Sequence, residues 1–270
     1  MEALFRCKDS FLTLRYYLPK KGSEVKITVR VLWNEKMKLL KLSVPTFLEN
    51  ADYIGQTMFG REKLPNDGME AVSQRWCAAV SECTDSAVTI VNNGTYGSDC
   101  KDGEIRLSLL RSPGYSAGCS DFSRRKPEVM EQGRCNIFMD QGVREFTFWL
   151  NAGTVQQRLE NVELEAAAAN ETPFALSCFP DGDETISIKA LVQLDNPVIQ
   201  LTAFKKSEYS DRYIFRLFEP TGMARSCTVT IPVKDNASQT FELGGFEILT
   251  VEFDGETGVF RKISLLERDF

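Results

Sequence analysis

The stretch that decides the fold runs from Val88 to Pro113, VTIVNNGTYGSDCKDGEIRLSLLRSP. Within it, apolar and polar residues alternate over Val88–Val91 and over Ile105–Leu110, and a polar, glycine-rich connection joins the two segments. Alternation with a period of two predicts half-buried β-strands. The second strand stops at Pro113, because proline has no N–H to give to a neighbouring strand.

Arg111 is left at the rim of a sheet by this strand end. A guanidinium held there could meet a carboxylate or a sugar hydroxyl. An ordinary ion pair with a neighbouring acid is the simpler interpretation of such an arginine.

Strand patterns fill most of the first 204 residues. The predicted strands are Phe11–Tyr17, Val25–Trp33, Lys38–Val44, Tyr53–Phe59, Phe138–Leu150, Phe174–Phe179, Thr185–Ile188 and Val198–Phe204. A single helix is predicted over Gln156–Asn170, whose alanine run has a high helix propensity. The polar stretch Tyr115–Asn136 predicts a long surface loop, and loops of such length are often functional.

From Ser207 onward, short alternating strands recur with turn residues between them, a pattern typical of a small β-sandwich. These strands are Tyr213–Phe218, Cys227–Pro232, Phe246–Phe253 and Phe260–Leu266. We therefore predict two units, residues 1–204 and residues 205–270.

The composition is that of a globular chain with a substantial core, since 43% of the 270 residues are hydrophobic and 26% are charged. The net charge of −6 and the isoelectric point near 5.0 provide no basic face for a polyanion. Nucleic acid and membrane are therefore not expected as partners. No stretch approaches the ~20 apolar residues of a membrane span.

The most restrictive feature of the composition is that the chain contains no histidine. This removes Ser–His and Cys–His catalytic arrangements, histidine-based zinc sites and the commonest general base at neutral pH. The eight cysteines are spread out without a C-x-x-C motif. Reduced thiols in a cytoplasmic protein are therefore expected.

One candidate sugar platform is Trp76, which follows Gln74 and Arg75. An indole face with a guanidinium beside it is suited to a sugar ring. A strand tryptophan buried in the core is the simpler interpretation of the same residues.

A second candidate is Asp140-Gln141-Gly142, at the mouth of a predicted strand and close to Arg144 and Glu145. Glycoside hydrolysis needs two carboxylates that face each other across a sugar. Asp140 and Glu145 are the best-placed pair, although a solvated rim is the simpler interpretation. Taken alone, the residues predict a two-part, all-β protein with polar rims.

The run from Trp33 to Gly153 resembles the C-terminal, all-β half of family 38 glycoside hydrolases, the retaining α-mannosidases. The matching blocks, in order, are VLWNEKMKLLKLSVP, EAVSQRW, VTIVNNGTYGSDCKDGEIRLSLLRSP and MDQGVREFTFWLNAG. Farther on, NPVIQLTAFKKSEYSDRYIFRLFEPTG resembles the small closing sandwich typical of the shorter bacterial members.

The β half of that family also resembles the supersandwich of the galactose-mutarotase group. The implied fold is therefore all-β, with a galactose-mutarotase-like β-supersandwich followed by a small β-sandwich. Mutarotase activity is not expected, since those enzymes work with histidine.

The resemblance implies a non-catalytic region of a retaining α-mannosidase. In that family a separate N-terminal α/β domain holds zinc through histidines and aspartates and carries the nucleophilic aspartate. No catalytic residue, metal ligand or cofactor is therefore expected in this chain, and zinc is expected in the catalytic domain that the sequence lacks. The expected partners are that domain and a mannose-containing oligosaccharide.

In the family, the β half supplies parts of the active-site rim. By resemblance, Asp140, Gln141 and Arg144 are the candidates for that rim, with Arg111 next. Trp76 is kept as a further candidate from its residue type.

Two other functions stay open at this stage. A free-standing carbohydrate-binding module would bind mannosides by itself, with a response of Trp76 or Trp149 fluorescence. A scaffold or adhesion-type sandwich would bind a partner protein instead. The oligomeric state is open as well, and a homo-oligomer is compatible with the sequence.

Overall fold

The computed structural model describes residues 1–114, 138–177 and 190–268, which form two compact units. The first contains Met1–Thr57, Glu62–Arg158 and Glu165–Asn170, and the second contains Met58–Arg61, Leu159–Leu164 and Glu171–Phe270. The predicted strand Thr185–Ile188 and the whole of the predicted loop Tyr115–Asn136 lie outside the described residues.

Twelve strands of the described chain precede the helix and form two antiparallel sheets, almost wholly within the first unit. They are β1 (Glu2–Cys7), β2 (Ser10–Tyr17), β3 (Val25–Trp33), β4 (Leu39–Pro45), β5 (Asp52–Thr57), β6 (Gly60–Lys63), β7 (Ala71–Val72), β8 (Trp76–Ser81), β9 (Ser86–Asn92), β10 (Gly97–Lys101), β11 (Glu104–Arg111) and β12 (Gly142–Gly153). A short 3₁₀ helix, Glu82–Thr84, joins β8 to β9. The wide sheet has the order β1-β2-β3-β12-β9-β8-β5-β6, and the narrow sheet has the order β4-β11-β10-β7.

The two sheets bury their inner faces against each other. Ile27, Val29 and Phe148 of the wide sheet belong to one core cluster with Ile105 and Leu107 of the narrow sheet. Each of these side chains is at most 5% exposed. The alternating pattern therefore specifies which face of each strand is buried, and the all-β prediction is confirmed.

A helix, α1 (Val155–Asn170), follows β12 and confirms the helix predicted over nearly the same residues. Arg158, which is 2% exposed, ties the helix to β9. Its Nε and Nη2 atoms donate to Oγ1 of Thr89 at 3.1 and 2.9 Å, and its Nη1 donates to Glu165 at 3.0 Å. Thr89 and Glu165 both lie within the first unit, so the buried Arg158 guanidinium has a hydrogen-bond acceptor and a carboxylate partner there.

The second unit is a smaller sandwich. Its strands are β13 (Gln193–Leu194), β14 (Gln200–Lys206), β15 (Tyr213–Phe218), β16 (Arg225–Ile231), β17 (Ala237–Leu243), β18 (Ile248–Phe253) and β19 (Phe260–Ile263). One sheet has the order β13-β16-β17 and the other has the order β14-β15-β18-β19. Their inner faces share a core that includes Phe215, Val229, Phe241 and Val251.

The compact units divide at a different place from the boundary predicted near residue 205. That position falls inside β14, which pairs with β15 along most of its length, so a cut there would split a sheet. The predicted strand Phe174–Phe179 is also wrong in its described part, because residues 172–177 have no regular secondary structure.

The predicted strands do not include β1, β6, β7, β8, β10, β13 or β17. Of these, β10 and β17 show why such strands are missed. In β10 the polar residue Asp99 is 2% exposed, and it is held by ion pairs with Lys41 and Arg106. In β17, serine, glutamine and threonine separate Ala237 from the buried Phe241. The polar residues Lys234–Ser238, which are typical of a turn, also overlap the start of this strand. Both strands lack the apolar alternation that identifies the predicted strands.

A buried carboxylate organises the turn after β15. Glu219 is fully buried and accepts hydrogen bonds from the backbone N–H groups of Thr221, Gly222 and Phe246 at 2.7 to 3.2 Å. Nε of Arg225 donates to it at 3.3 Å. Burial alone would raise the pKa of Glu219, but these hydrogen bonds outweigh it and hold the pKa below its usual value. The turn needs glycine, because Gly222 has φ +81° and a Cβ on Gly245 would overlap its carbonyl oxygen.

We predict that Glu219→Gln lowers the free energy of unfolding by about 2–3 kcal/mol at pH 7, since the amide cannot accept all the donors that now converge on the carboxylate. A pKa lowered in the folded state contributes stability above the unfolded value, and this is lost as the pH falls through the folded value. The difference between the variant and the native protein should therefore shrink below about pH 4. Urea unfolding followed by circular dichroism, at pH 7 and below about pH 4, measures this difference in the free energy of unfolding.

Glu242→Gln is the matched control, because Glu242 is exposed on β17 and should change stability by less than about 0.5 kcal/mol. A Glu219→Gln variant as stable as this control at pH 7 would show that the turn does not depend on the carboxylate.

Candidate ligand-binding rim

Four loops meet at one end of the first unit, and we call them the rim: residues 7–10, 34–38, 111–114 and 138–142. Backbone hydrogen bonds join them, from Met37 N to Ser112 O at 2.7 Å and from Met139 N to Pro113 O at 3.0 Å. Gly114 and Phe138 form an isolated antiparallel bridge. The rim is therefore a hydrogen-bonded structure and not a set of independent loops.

Ser112 is the buried centre of the rim, with no exposed surface. Its hydroxyl accepts from Nε1 of Trp33 at 3.2 Å and from the backbone N–H of Lys38 at 3.3 Å. The hydroxyl also faces the carbonyl oxygen of Lys38 at 3.3 Å, to which it can donate. One small side chain thus satisfies a buried indole and fixes the loop between β3 and β4 against the end of β11.

Glu35 holds a second part of the rim together. The side chain is buried, and its Oε1 accepts from the backbone N–H of Asp9 at 3.3 Å and from the hydroxyl of Ser10 at 3.2 Å. The Ser10 hydroxyl in turn accepts from the backbone N–H of Asn34 at 2.9 Å. The carbonyl oxygen of Glu35 accepts from Nε2 of Gln141 at 2.8 Å.

The structure brings three of the predicted rim residues together. The backbone N–H of Arg111 donates to Oδ2 of Asp140 at 3.4 Å, and Gln141 follows directly in the chain. Asp140 has φ +53° and Gly142 has φ +92°, so the chain reverses sharply before β12 begins. The Arg111 side chain is exposed, and its guanidinium makes no ion pair with the residues that the structure describes.

Arg144 lies two residues inside β12 and is exposed, with Nη1 donating to the carbonyl oxygen of Val143 at 2.9 Å. The neighbouring Glu145 forms an ion pair with Arg30 on β3 at 3.2 Å. Since Glu145 is engaged along the strand, the structure gives no sign of the catalytic carboxylate pair that Asp140 and Glu145 suggested.

Trp76 is not a rim residue, and this part of the prediction needs correction. It lies at the start of β8 with 0% exposure, paired in register with Val91. A tryptophan buried on an interior strand cannot present its indole face to a sugar, so the simpler interpretation as a core residue holds.

The residues that sequence reasoning missed are Ser10, Trp33, Glu35 and Ser112. Glu35 stood in a predicted turn and Ser112 in a predicted strand end, where polar residues are usual. Ser10, Glu35 and Ser112 are distinguished by being buried although they are polar. A pattern of residue types does not show which polar residues are buried. No group of three or more His, Cys, Asp or Glu side chains among the described residues could hold a metal ion.

Residues 2–119, whose described part contains β1 to β11 and three of the four rim loops, match the model of the glycosyl hydrolases family 38 C-terminal domain. This stretch belongs to the family 38 C-terminal domain. The resemblance predicted from the sequence is confirmed, and it begins at β1.

Mannosidases of two organisms are related to the chain in sequence. Alpha-mannosidase 2C1 of Mus musculus is 22% identical over 225 residues, which are 78% of this chain and 19% of the relative. Alpha-mannosidase G of Dictyostelium discoideum is 26% identical over 225 residues, which are 77% of this chain and 18% of the relative. The chain therefore spans about a fifth of the length of these relatives.

Solved structures share the fold beyond the matched stretch. An α-mannosidase from Enterococcus faecalis V583 has a TM-score of 0.72 and 17% identity over 91% of this chain and 29% of its own. A family 38 glycosyl hydrolase protein from Enterococcus faecalis gives the same TM-score at 18% identity, over 91% of this chain and 30% of its own. The chain therefore shares its fold with these structures over most of its length. Across the described ranges, the helix is neither long nor apolar enough to cross a membrane.

We predict that Ser112→Ala lowers the free energy of unfolding of the first unit by about 1–3 kcal/mol, because it leaves the buried N–H groups of Trp33 and Lys38 without an acceptor. All three tryptophans lie in the first unit, so urea unfolding followed by their fluorescence reports on that unit. Ser43→Ala is the control, because the Ser43 hydroxyl contacts only Glu104 at the surface. Equal midpoints for the two variants would contradict the role assigned to Ser112.

Proposed function

We propose that this chain is the non-catalytic C-terminal β region of a retaining α-mannosidase, which works with a zinc-binding catalytic α/β domain on mannosides. The observation that carries the proposal is the match of residues 2–119 to the family 38 C-terminal domain. The fold likeness to an α-mannosidase over 91% of the chain supports it.

The residues of this chain do not fit a catalytic zinc site. Such sites need three protein ligands, usually with histidine among them, and the chain has no histidine. The described residues also offer no cluster of carboxylates and thiols that could replace it. Zinc and the nucleophile are accordingly assigned to the catalytic domain, and no chemical step is assigned to this chain.

The rim is the part of the first unit that we assign to the edge of the mannoside cleft. Arg111 offers an exposed guanidinium, and Asp140 offers carboxylate oxygens next to the Arg111 backbone. The Gln141 side chain offers its amide oxygen, since its nitrogen donates within the rim. Donors and acceptors of this kind bind the hydroxyl groups of sugars by paired hydrogen bonds. The buried contacts of Ser112 and Glu35 hold the backbone beneath them in place, which limits the entropy lost on binding.

We predict that this chain alone does not hydrolyse an aryl α-mannoside with zinc present. It should restore hydrolysis when it is combined with a polypeptide that carries the zinc domain encoded in the source genome, whether in the same reading frame or another. The catalytic polypeptide alone should be at least about tenfold less active, because an incomplete cleft loses positioning of the substrate. Hydrolysis rates of the two polypeptides, apart and mixed, measure it.

Hydrolysis by this chain alone would overturn the proposal, and so would a source genome without a zinc-domain polypeptide. Mannoside binding by this chain alone, without association with any catalytic polypeptide, would instead favour a free-standing carbohydrate-binding module. We also expect the assembled enzyme in the cytoplasm, which fractionation of the source cells can test.

We predict that Arg111→Ala in the reconstituted enzyme raises KM for the aryl α-mannoside by about tenfold or more with a smaller change in kcat, since a rim residue contributes to binding rather than to the chemistry. Arg30→Ala is the control, because Arg30 is also an exposed arginine but lies on β3 outside the rim and is paired with Glu145. Unchanged KM in Arg111→Ala would remove this residue from the rim.

A further inference from the structure

The two sheets of the first unit differ in width, and on one side the wide sheet extends past the narrow one. On that side, β4 is the last strand of the narrow sheet, whereas the wide sheet continues through β2 to β1. Part of the inner face of β1 and β2, including Phe5, therefore extends beyond the edge of β4, and no strand of the described chain covers it.

A cleft of about 360 Å³ opens at this place. Its walls come from β1, β2 and β3 on one side and from β4 and β11 on the other, and all of them belong to the first unit. Most of the lining is apolar and includes Phe5, Leu12, Leu14, Leu40 and Leu42. Phe5 is 54% exposed there, which is unusual for a large apolar side chain on the inner face of a sandwich.

β4 also presents a free edge to the cleft. It pairs only with β11, so the N–H and C=O groups on its other side have no strand partner among the described residues. An unpaired strand edge beside an uncovered apolar face can bind an extended segment. The main chain of the segment pairs with the edge, and every second side chain fills the apolar space.

We propose that this cleft takes an extended β-strand that pairs along β4 and sets alternate apolar side chains against Phe5, Leu12 and Leu42. β4 has seven residues, so the added strand would be about as long, roughly 23 Å. An apolar cavity of about 150 Å³ holds one benzene molecule, so about 360 Å³ suits two or three apolar side chains of such a strand.

The structure points to a β-strand from another part of an α-mannosidase, outside the stretch that the relatives share with this chain, as the occupant of the cleft. This inference therefore rests on the proposed function. The relatives are about five times as long as the matched region, which leaves ample chain to supply it. A second copy pairing through its own β4 about a two-fold axis is disfavoured. Its own β1 and β2 would extend into the space that β1 and β2 of the first copy already occupy.

The test uses the full chain and the zinc-domain polypeptide from its source genome. Phe5→Asp should weaken their association by at least about tenfold, because a charge would be buried against an apolar strand. Leu4→Asp is the matched control: Leu4 is the adjacent residue of the same edge strand, is 73% exposed and does not line the cleft. Thermal unfolding shows whether both variants stay folded, and titration calorimetry measures the affinities.

Two further measurements identify the occupant of the cleft. Cys7 is exposed and lines the cleft, whereas Cys83 is exposed elsewhere, so the zinc-domain polypeptide should slow alkylation of Cys7 and leave that of Cys83 unchanged. Backbone hydrogen exchange of β4 should slow as well. Protection of Cys7 without protection of β4 would overturn strand addition.

The outcomes separate this inference from the proposed function. If the mixture regains mannosidase activity while Phe5→Asp binds as tightly as Leu4→Asp, the cleft inference fails and the proposed function stands. If the two polypeptides neither associate nor hydrolyse mannosides, both fail. If the chain alone is a dimer that Phe5→Asp dissociates, the occupant is a second copy and the inference is overturned.

Discussion

Burial of the apolar inner face of a wide sheet beneath a narrower one is the constraint on which the first unit depends. The centre of the wide sheet is covered well, and Phe148 of β12 has no exposed surface there. Such burial stabilises each large apolar side chain by roughly 1.5–3 kcal/mol. Unequal widths leave one margin uncovered, so the same packing that stabilises the unit also produces the cleft beside β4.

The rim follows from a different requirement, that buried polar groups have partners. Strands that end inside a sandwich carry backbone groups that water cannot reach, and an unpaired group costs about 1–3 kcal/mol. Ser112 and Glu35 meet this need with side-chain oxygens, and in doing so they bring three of the four rim loops into contact. Arg111 and Asp140, the residues proposed for the mannoside cleft, are therefore neighbours of residues that stabilise the rim.

Most strands could be predicted, because alternation with a period of two marks a half-buried strand wherever one face is apolar. β3 and β15 were predicted with their observed bounds, Val25–Trp33 and Tyr213–Phe218. β10 was not predicted because it contains the charged residue Asp99, which a sequence pattern assigns to the surface. Asp99 is buried only because Lys41 and Arg106 form ion pairs with it. The boundary was misplaced because the stretch before β14 lacks a pattern that assigns it to either unit.

The sequence by itself determined the all-β class, the turns, the family resemblance and the exclusion of histidine chemistry. Only the tertiary structure decided that Trp76 is buried while Arg111 is exposed, that Arg111 lies beside Asp140, and that a cleft opens between β1 and β4. The physical reason is that periodicity shows which side chains share a face of a strand. What covers that face depends on strands that are distant in the sequence and meet only when the sheets pack.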